Sequence, residues 1–98
     1  MRYAEGEHII RQGEKGDTLY IIKHGSARVT HNNSSEGGGD PVFIRMMSSG
    51  SYFGEKALVG DSMRTANVVS YGTEGCTCIV IDKQSFSHLE KWFVKNGF

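Results

Sequence analysis

The chain has 98 residues, of which 38% are hydrophobic and 22% charged, so it can form one globular domain rather than a disordered segment. Eleven Lys and Arg balance eleven Asp and Glu, which excludes a general electrostatic attraction to nucleic acid or to an anionic membrane. No apolar run approaches the roughly 18 residues that cross a bilayer, and no signal segment opens the chain. We therefore expect a cytoplasmic protein without membrane insertion.

The first half of the sequence predicts short strands, since thirteen glycines and one proline favour tight turns over long helices. Residues 18–23 and 26–30 are rich in β-branched and apolar positions and predict an antiparallel hairpin that turns at His24 and Gly25. The Asn-, Ser- and Gly-rich residues 32–40 predict a mobile hairpin loop, after which residues 41–47 form the next strand.

The second half of the sequence predicts two more apolar strands, at residues 64–70 and 76–81, joined by a turn at residues 72–75. Residues 55–59 predict a single helical turn that Gly60 ends. The order of the elements, with strands first and a longer helix last, predicts an antiparallel barrel or jelly roll with an appended helix. We expect residues 1–98 to form it as one domain.

The C-terminal helix is predicted from apolar residues at i, i+3 and i+7, namely Phe86, Leu89 and Phe93. We expect Trp92 and Phe93 to belong to the packed face of this helix. Asp82 or Ser85 is the expected N-cap, and Ser87 with Glu90 has the spacing of a capping box.

Several kinds of enzyme lack their residue patterns in this sequence. The four histidines never form His-x-His or His-Glu-x-x-His, which weakens a metal-dependent jelly-roll enzyme. No Gly-x-Ser-x-Gly elbow or Gly-Lys-Ser/Thr phosphate loop is present. Cys76 and Cys78 would share one face of a strand, where a mutual disulfide is strained, so we expect reduced thiols. We expect no catalytic residue, no metal and no cofactor.

The most informative segment is Phe-Gly-Glu-Lys-Ala-Leu at residues 53–58, followed closely by Arg-Thr-Ala at residues 64–66. Gly54 allows a close backbone approach to a ligand, and the helical turn after it offers unpaired N–H groups to an anion. Arg64 adds a charged fork that suits two oxygens of one phosphate. Glu55 is unsuited to an anion but can accept a hydrogen bond from a neighbouring sugar hydroxyl. The segment predicts a site for a sugar phosphate.

The sequence resembles a cyclic-nucleotide-binding domain, and most of all the second such domain of cyclic-GMP-dependent protein kinases. The resemblance covers essentially the whole chain. It rests on the phosphate-binding cassette above, extended by Asn-Val at residues 67–68, and on residues 6–13, 16–22 and 80–82. It implies a mainly β fold, an eight-stranded antiparallel jelly roll with flanking helices, in which a short cassette helix and a C-terminal helix lie beside the strands.

The resemblance also implies a role for individual residues. Arg64, Thr65 and the backbone amides of Gly54 and Ala57 would bind the cyclic phosphate, and Glu55 would accept a hydrogen bond from the ribose 2′-hydroxyl.

The base would be contacted by Leu58 and Ile44, and it would be read as guanine by Arg45 and Thr65. Arg45 suits the O6 and N7 acceptors of guanine, because adenine presents a donor beside N7. Thr65 could reach the 2-amino group that adenine lacks.

The function expected from the resemblance is a regulatory domain that binds cyclic GMP and allosterically relieves the autoinhibition of a serine/threonine protein kinase. Its partners would be cyclic GMP and the kinase catalytic domain, with a homodimer forming through regions outside this chain. Residues 1–98 would lack that kinase domain and the C-terminal lid helix over the base, and would catalyse nothing themselves. Three alternatives are a cyclic-AMP-selective module of a channel, exchange factor or transcription regulator, a jelly-roll metalloenzyme, and a ligand-free interaction domain.

Overall fold

The computed structural model describes residues 1–32, 40–54 and 62–96, without the side chains of Ser62 and Phe93. Eight strands and one helix lie in this part of the chain. Their bounds are β1 Arg2–Tyr3, β2 His8–Ile10, β3 Lys15–Gly16, β4 Thr18–His31, β5 Val42–Ser48, β6 Tyr52–Phe53, β7 Ser62–Met63, β8 Asn67–Asp82 and α1 Lys83–Asn96.

Six of these strands form one antiparallel sheet in which the order is β1-β8-β4-β5, while β2 also pairs with β8 and β6 also pairs with β4. The two short strands β3 and β7 form a separate two-stranded sheet. The predicted fold class, mainly antiparallel β with a C-terminal helix, is confirmed.

The predicted hairpin at residues 18–30 is wrong, because both halves belong to the single strand β4. Its first half pairs with β8 through Ile22 and Cys78, and its second half pairs with the same strand through Ser26 and Tyr71. Gly25 has a φ of 90° and lies at a shift in register. The glycine therefore forms a bulge within one strand, and such bulges bend a strand without reversing it.

The predicted turn at residues 72–75 is also wrong, because these residues lie inside the single strand β8. Gly25 pairs with Cys76 and its neighbour Ser26 pairs with Tyr71, so residues 72–75 have no partner on β4. A Cβ atom on Gly25 would collide with the carbonyl oxygen of Gly75. Glycine is therefore required at position 25 both by its positive φ and by the closeness of the Gly75 backbone.

The connection between β4 and β5 agrees with a hairpin, because the two strands are antiparallel and His31 pairs with Val42. Residues 33–39 of the predicted mobile loop lie outside the described residues, as does the predicted helical turn at residues 55–59. The strand predicted at residues 41–47 is confirmed as β5.

The N-terminus of α1 is capped by Asp82, whose carboxylate accepts a 2.6 Å hydrogen bond from the backbone amide of Ser85. Asp82 is thus the cap, and Ser85 lies in the first turn. The predicted capping box is wrong, because Ser87 and Glu90 lie inside the helix.

The packed face predicted for α1 is only partly present. Phe86 is half-buried, but Leu89 is 43% exposed and Trp92 is 56% exposed, so the expected burial of these two residues is wrong. The side chain of Phe93 lies outside the description.

The hydrophobic core is formed by side chains from the six strands of the larger sheet. It consists of Tyr3, Ile9, Ile10, Ile22, Ala27, Val29, Met47, Phe53, Val68, Cys76 and Cys78. Both cysteines are free thiols, as predicted. Within the described ranges, no helix has the length and apolar character needed to cross a membrane.

Candidate functional site

Arg64 has a backbone position fixed by the turn that precedes β3. It directly follows β7, which pairs with β3 through Met63 and Lys15. The Arg64 amide donates a 2.8 Å hydrogen bond to the carbonyl of Glu14, and the Gly13 amide donates a 2.9 Å bond to the carbonyl of Arg64. Both the N–H and the C=O group of Arg64 are therefore hydrogen-bonded to this turn, which fixes the main chain independently of the side chain.

The guanidinium of Arg64 is held by three hydrogen bonds that it donates to two other segments. Its Nη2 donates to the Thr18 carbonyl at 2.9 Å and to the Thr18 hydroxyl at 3.2 Å. Its Nη1 donates to the Gly54 carbonyl at 3.2 Å. The ring of Tyr20 lies 5.9 Å from the guanidinium carbon, within the range of a cation–π interaction. The start of β4 and the end of β6 thus meet at this one side chain.

Two glycines make room for the guanidinium. A Cβ atom on Gly16 would overlap the Nε and Nη2 atoms of Arg64. Gly54 has a φ of 88°, and a Cβ there would lie 2.8 Å from Nη1 of Arg64 and 2.8 Å from the Thr18 carbonyl oxygen. Gly54 is required by its backbone conformation as well as by space. The sequence predicts that a ligand approaches the backbone of Gly54 closely. In this structure, the group that approaches Gly54 closely is the guanidinium of Arg64.

The charge of Arg64 has no counter-ion among residues 1–32, 40–54 and 62–96. Its three acceptors are neutral oxygens, and the ion pair found in this part of the chain joins Arg11 and Glu14 at 3.9 Å. Arg64 is half-buried, and a partly buried charge is less screened by solvent than an exposed one. Within the described residues, this arrangement presents an ordered positive charge without a counter-ion, which suits an anion.

Two of the four residues predicted to contact a base, Ile44 and Arg45, lie on β5, the edge strand beside β4. Val29 pairs with Arg45 and Thr30 pairs with Phe43, so Ile44 is the extra residue of a bulge, and it is 51% exposed. Arg45 is exposed and borders an open groove of about 400 Å³. The other lining residues are Met46, Met47, Gly50, Ser51 and Tyr52. The groove follows the turn from β5 into β6, the strand that ends next to Gly54.

The structure brings Arg64 and Gly54 into direct contact, whereas Arg45 and Ile44 lie outside that contact on β5. Thr65 follows Arg64 and is exposed. The remaining predicted site residues, which are Glu55, Ala57 and Leu58, lie outside the described residues.

Sequence reasoning missed Thr18 and Gly16 as parts of the site. They belong to the Gly-Asp-Thr run at residues 16–18, which connects the end of β3 to the start of β4. Such a run is explained equally well by a turn followed by a strand. A contact between residues 46 positions apart, as between Thr18 and Arg64, leaves no local signal in the sequence.

Comparisons with known proteins give one family. The sequence model of the family described as "Cyclic nucleotide-binding domain" matches residues 1–91. The chain is 45% identical over 87 residues to an isozyme 2 form of cGMP-dependent protein kinase from Drosophila melanogaster, covering 89% of this chain and 9% of the relative. It is 41% identical over 85 residues to human cGMP-dependent protein kinase 2, covering 87% of this chain and 11% of that protein.

Among solved structures, the chain is similar to the regulatory domain of Toxoplasma gondii PKA in a co-crystal with cAMP. The TM-score is 0.79 and the identity 34%, over 92% of this chain and 33% of that chain. The chain therefore spans about a tenth of the curated kinases, at 9% and 11%, and a third of the solved regulatory domain, at 33%.

Proposed function

The chain belongs to the cyclic nucleotide-binding domain family, and on that premise we propose that it binds cyclic GMP as a regulatory module of a serine/threonine protein kinase. The observation that carries the proposal is the guanidinium of Arg64, which is held in place by neutral oxygens and has no counter-ion in the described part of the chain.

The cyclic phosphate would be bound by Arg64 together with backbone amides of Gly54 and Ala57, with Thr65 beside them. An arginine stays charged at any working pH and can donate two parallel hydrogen bonds to one phosphate. Bound phosphate would bury this ion pair, and removing one partner of a buried ion pair leaves the other charge without compensation, which costs about 3–5 kcal/mol. We therefore expect Arg64→Ala to weaken cyclic GMP binding by two to three orders of magnitude, since about 1.4 kcal/mol corresponds to tenfold.

The ribose would be bound by Glu55, whose carboxylate would accept a hydrogen bond from the 2′-hydroxyl. A hydrogen bond to a charged group contributes about 1.5–3 kcal/mol. Leu58 and Ile44 would supply apolar contacts to the sugar and base, and the exposure of Ile44 leaves it accessible for such a contact.

Selectivity for guanine would come from Arg45 and Thr65. Arg45 borders an open groove, and its guanidinium would donate to the two guanine acceptors O6 and N7. Thr65 would bond the 2-amino group of guanine. The curated relatives at 41–45% identity are named as cGMP-dependent kinases, which supports this assignment.

A cyclic-AMP-binding module is the second candidate, and it is favoured by the Toxoplasma gondii regulatory domain, which was solved with cAMP. The two candidates differ in the base alone, because the phosphate and ribose are the same in both nucleotides. Selectivity between them therefore depends on Arg45 and Thr65.

Calorimetric titration with each nucleotide tests the proposal. We expect the wild-type chain to bind cyclic GMP more tightly than cyclic AMP, and Arg45→Ala and Thr65→Ala to reduce that preference. Arg64→Ala should lose affinity for both nucleotides. Arg2→Ala is the matched control, because Arg2 is exposed on β1 and bonds the carbonyl of Glu74. Equal affinity for the two nucleotides in the wild type would contradict the base assignment, and undiminished binding by Arg64→Ala would contradict the phosphate assignment.

The regulatory step would occur in a longer protein that also contains the kinase catalytic domain. Phosphate binding would move the cassette segment at residues 55–59, and that movement would let α1 swing inward and relieve autoinhibition. Such coupling requires the nucleotide to bind the two positions of α1 with different affinities. In a chain that includes the catalytic domain, cyclic GMP should raise peptide phosphorylation, and Arg64→Ala should move the half-activating concentration upward.

A further inference from the structure

Resting on the proposed function, we propose that Gly16 and Thr18 are positioning residues that set ligand affinity by fixing the guanidinium of Arg64 before the nucleotide arrives. We call these two residues, together with the carbonyl of Gly54, the arginine cradle. None of them needs to touch the ligand for this role. The site would then include the end of β3 and the start of β4 as well as the cassette.

The conformational freedom of the Arg64 side chain affects how tightly a ligand binds. An arginine side chain has several rotatable bonds, and ordering it on binding costs entropy. A receptor that holds the side chain in one orientation beforehand avoids that cost and binds more tightly. The three hydrogen bonds of Arg64 are all made to oxygen atoms of the protein itself, so they can order the side chain without a ligand.

The cradle leaves some N–H groups of Arg64 available for a ligand. A guanidinium carries five N–H donors, and the cradle accepts hydrogen bonds from Nη1 and Nη2. Nε makes no hydrogen bond to the described residues. All three acceptors are neutral, so the cradle orders the side chain without cancelling its charge. A carboxylate in the same place would order it equally well but would compete with the phosphate.

Thr18 contributes the one acceptor of the cradle that a substitution can remove. Two of the three acceptors are backbone carbonyls, which substitution does not remove. The third is the Thr18 hydroxyl, 3.2 Å from Nη2. Valine has nearly the shape of threonine but lacks the hydroxyl, whereas serine keeps it.

Gly16 lies directly against the guanidinium of Arg64. A Cβ atom there would overlap Nε and Nη2 of Arg64, and the backbone of Gly16 lies outside the left-handed region. Alanine can therefore adopt this backbone conformation without strain. Its methyl group would displace the Arg64 side chain, so the effect of Gly16→Ala reports on the position of the guanidinium.

The binding experiment is a calorimetric titration of the 98-residue chain with cyclic GMP, with a urea melt of every variant. We expect Thr18→Val to weaken binding about fivefold, the value of one net hydrogen bond. Thr18→Ser should stay within about twofold of wild type, and Gly16→Ala should weaken binding by about tenfold or more. The matched control is Thr73→Val, the same change at an exposed position in the β8 bulge. It should leave the dissociation constant unchanged.

A second measurement tests the cradle without any ligand. The Nε–Hε resonance of Arg64, assigned by its loss in Arg64→Lys, should shift in Thr18→Val and Gly16→Ala and return towards wild type in Thr18→Ser. If this resonance does not move in the first two variants, or if they bind as tightly as wild type, the cradle is overturned. A wild-type chain that binds no cyclic nucleotide would instead overturn the proposed function, and the resonance would still decide whether the cradle exists.

Discussion

Cys76 and Cys78 illustrate how position within a strand determines the chemistry of a residue. They are two residues apart on β8, so they share a face, and their sulfur atoms lie 3.7 Å apart. Each side chain is only 1% exposed. Burial raises the pKa of Cys76, and it raises the pKa of Cys78 to about 12. Both groups are therefore neutral thiols that pack like small apolar side chains.

We expect neither thiol to react with a disulfide reagent such as DTNB in the folded chain at pH 8, because the thiolate is the reactive form and both sulfurs are shielded from solvent. Both should react rapidly in concentrated urea. Absorbance at 412 nm counts the released thiolate, and Ser48→Cys on the exposed end of β5 gives the rate of an accessible thiol. Reaction of the native cysteines at the Ser48→Cys rate would contradict this expectation.

At the scale of elements, the start of α1 depends on the charge of Asp82. The backbone amide of Ser85, and next its hydroxyl, donate to this carboxylate and lower the pKa of Asp82 below its ordinary value of 3.8. A lowered folded-state pKa means that the cap stabilises the helix above pH 3.8. That stabilisation is lost as the pH falls through the folded-state value.

We expect the amide resonance of Ser85 to titrate with a midpoint below 3.8, because this amide donates directly to the carboxylate. The measurement is a series of NMR spectra between pH 5 and pH 2. In Asp82→Asn the side chain still accepts a hydrogen bond at the N-cap but does not ionise, so the titration should disappear. A midpoint at or above 3.8 would show that the carboxylate does not cap the helix in solution.

The strands also show where local sequence patterns reach their limit. The sequence pattern places Gly25 and Gly75 in turns between strands, and both do have positive φ, but each lies within one continuous strand. A turn and a bulge require the same backbone freedom, however, and they differ only in whether the chain continues along the same partner strand. The partner is β8 on both sides of the Gly25 bulge, and this is a long-range pairing that no short window of sequence contains.

The same limit applies to the candidate site. Arg64 and Gly54 could be proposed from the sequence because each is unusual within its own segment: an arginine offers a fork of donors, and the glycine precedes a predicted helical turn. Thr18 could not be found, since a threonine that opens a strand is ordinary until the fold brings Arg64 against it.

At the scale of the molecule, the sheet and the helix differ in how firmly they are held. The strands β4 and β8 pair along most of their length and contain Ile22, Ala27 and Cys78 of the core. In α1, Phe86 is half-buried, whereas the other residues with described side chains are exposed. Stability is unevenly distributed in such a structure, and segments with little buried apolar surface open first.

We therefore expect hydrogen exchange to separate the two parts of the chain. The amides of Ile22 and Ala27 should exchange only on global unfolding, because they lie in the buried centre of the sheet. The amides of α1 should exchange faster by several orders of magnitude, through opening of the helix while the sheet stays folded. Exchange followed by NMR at two urea concentrations distinguishes these routes, since global unfolding accelerates with urea far more than local opening does. If α1 and the sheet showed equal protection and equal urea dependence, the helix would be part of one cooperative unit, and it could not move independently as the proposed regulatory step requires.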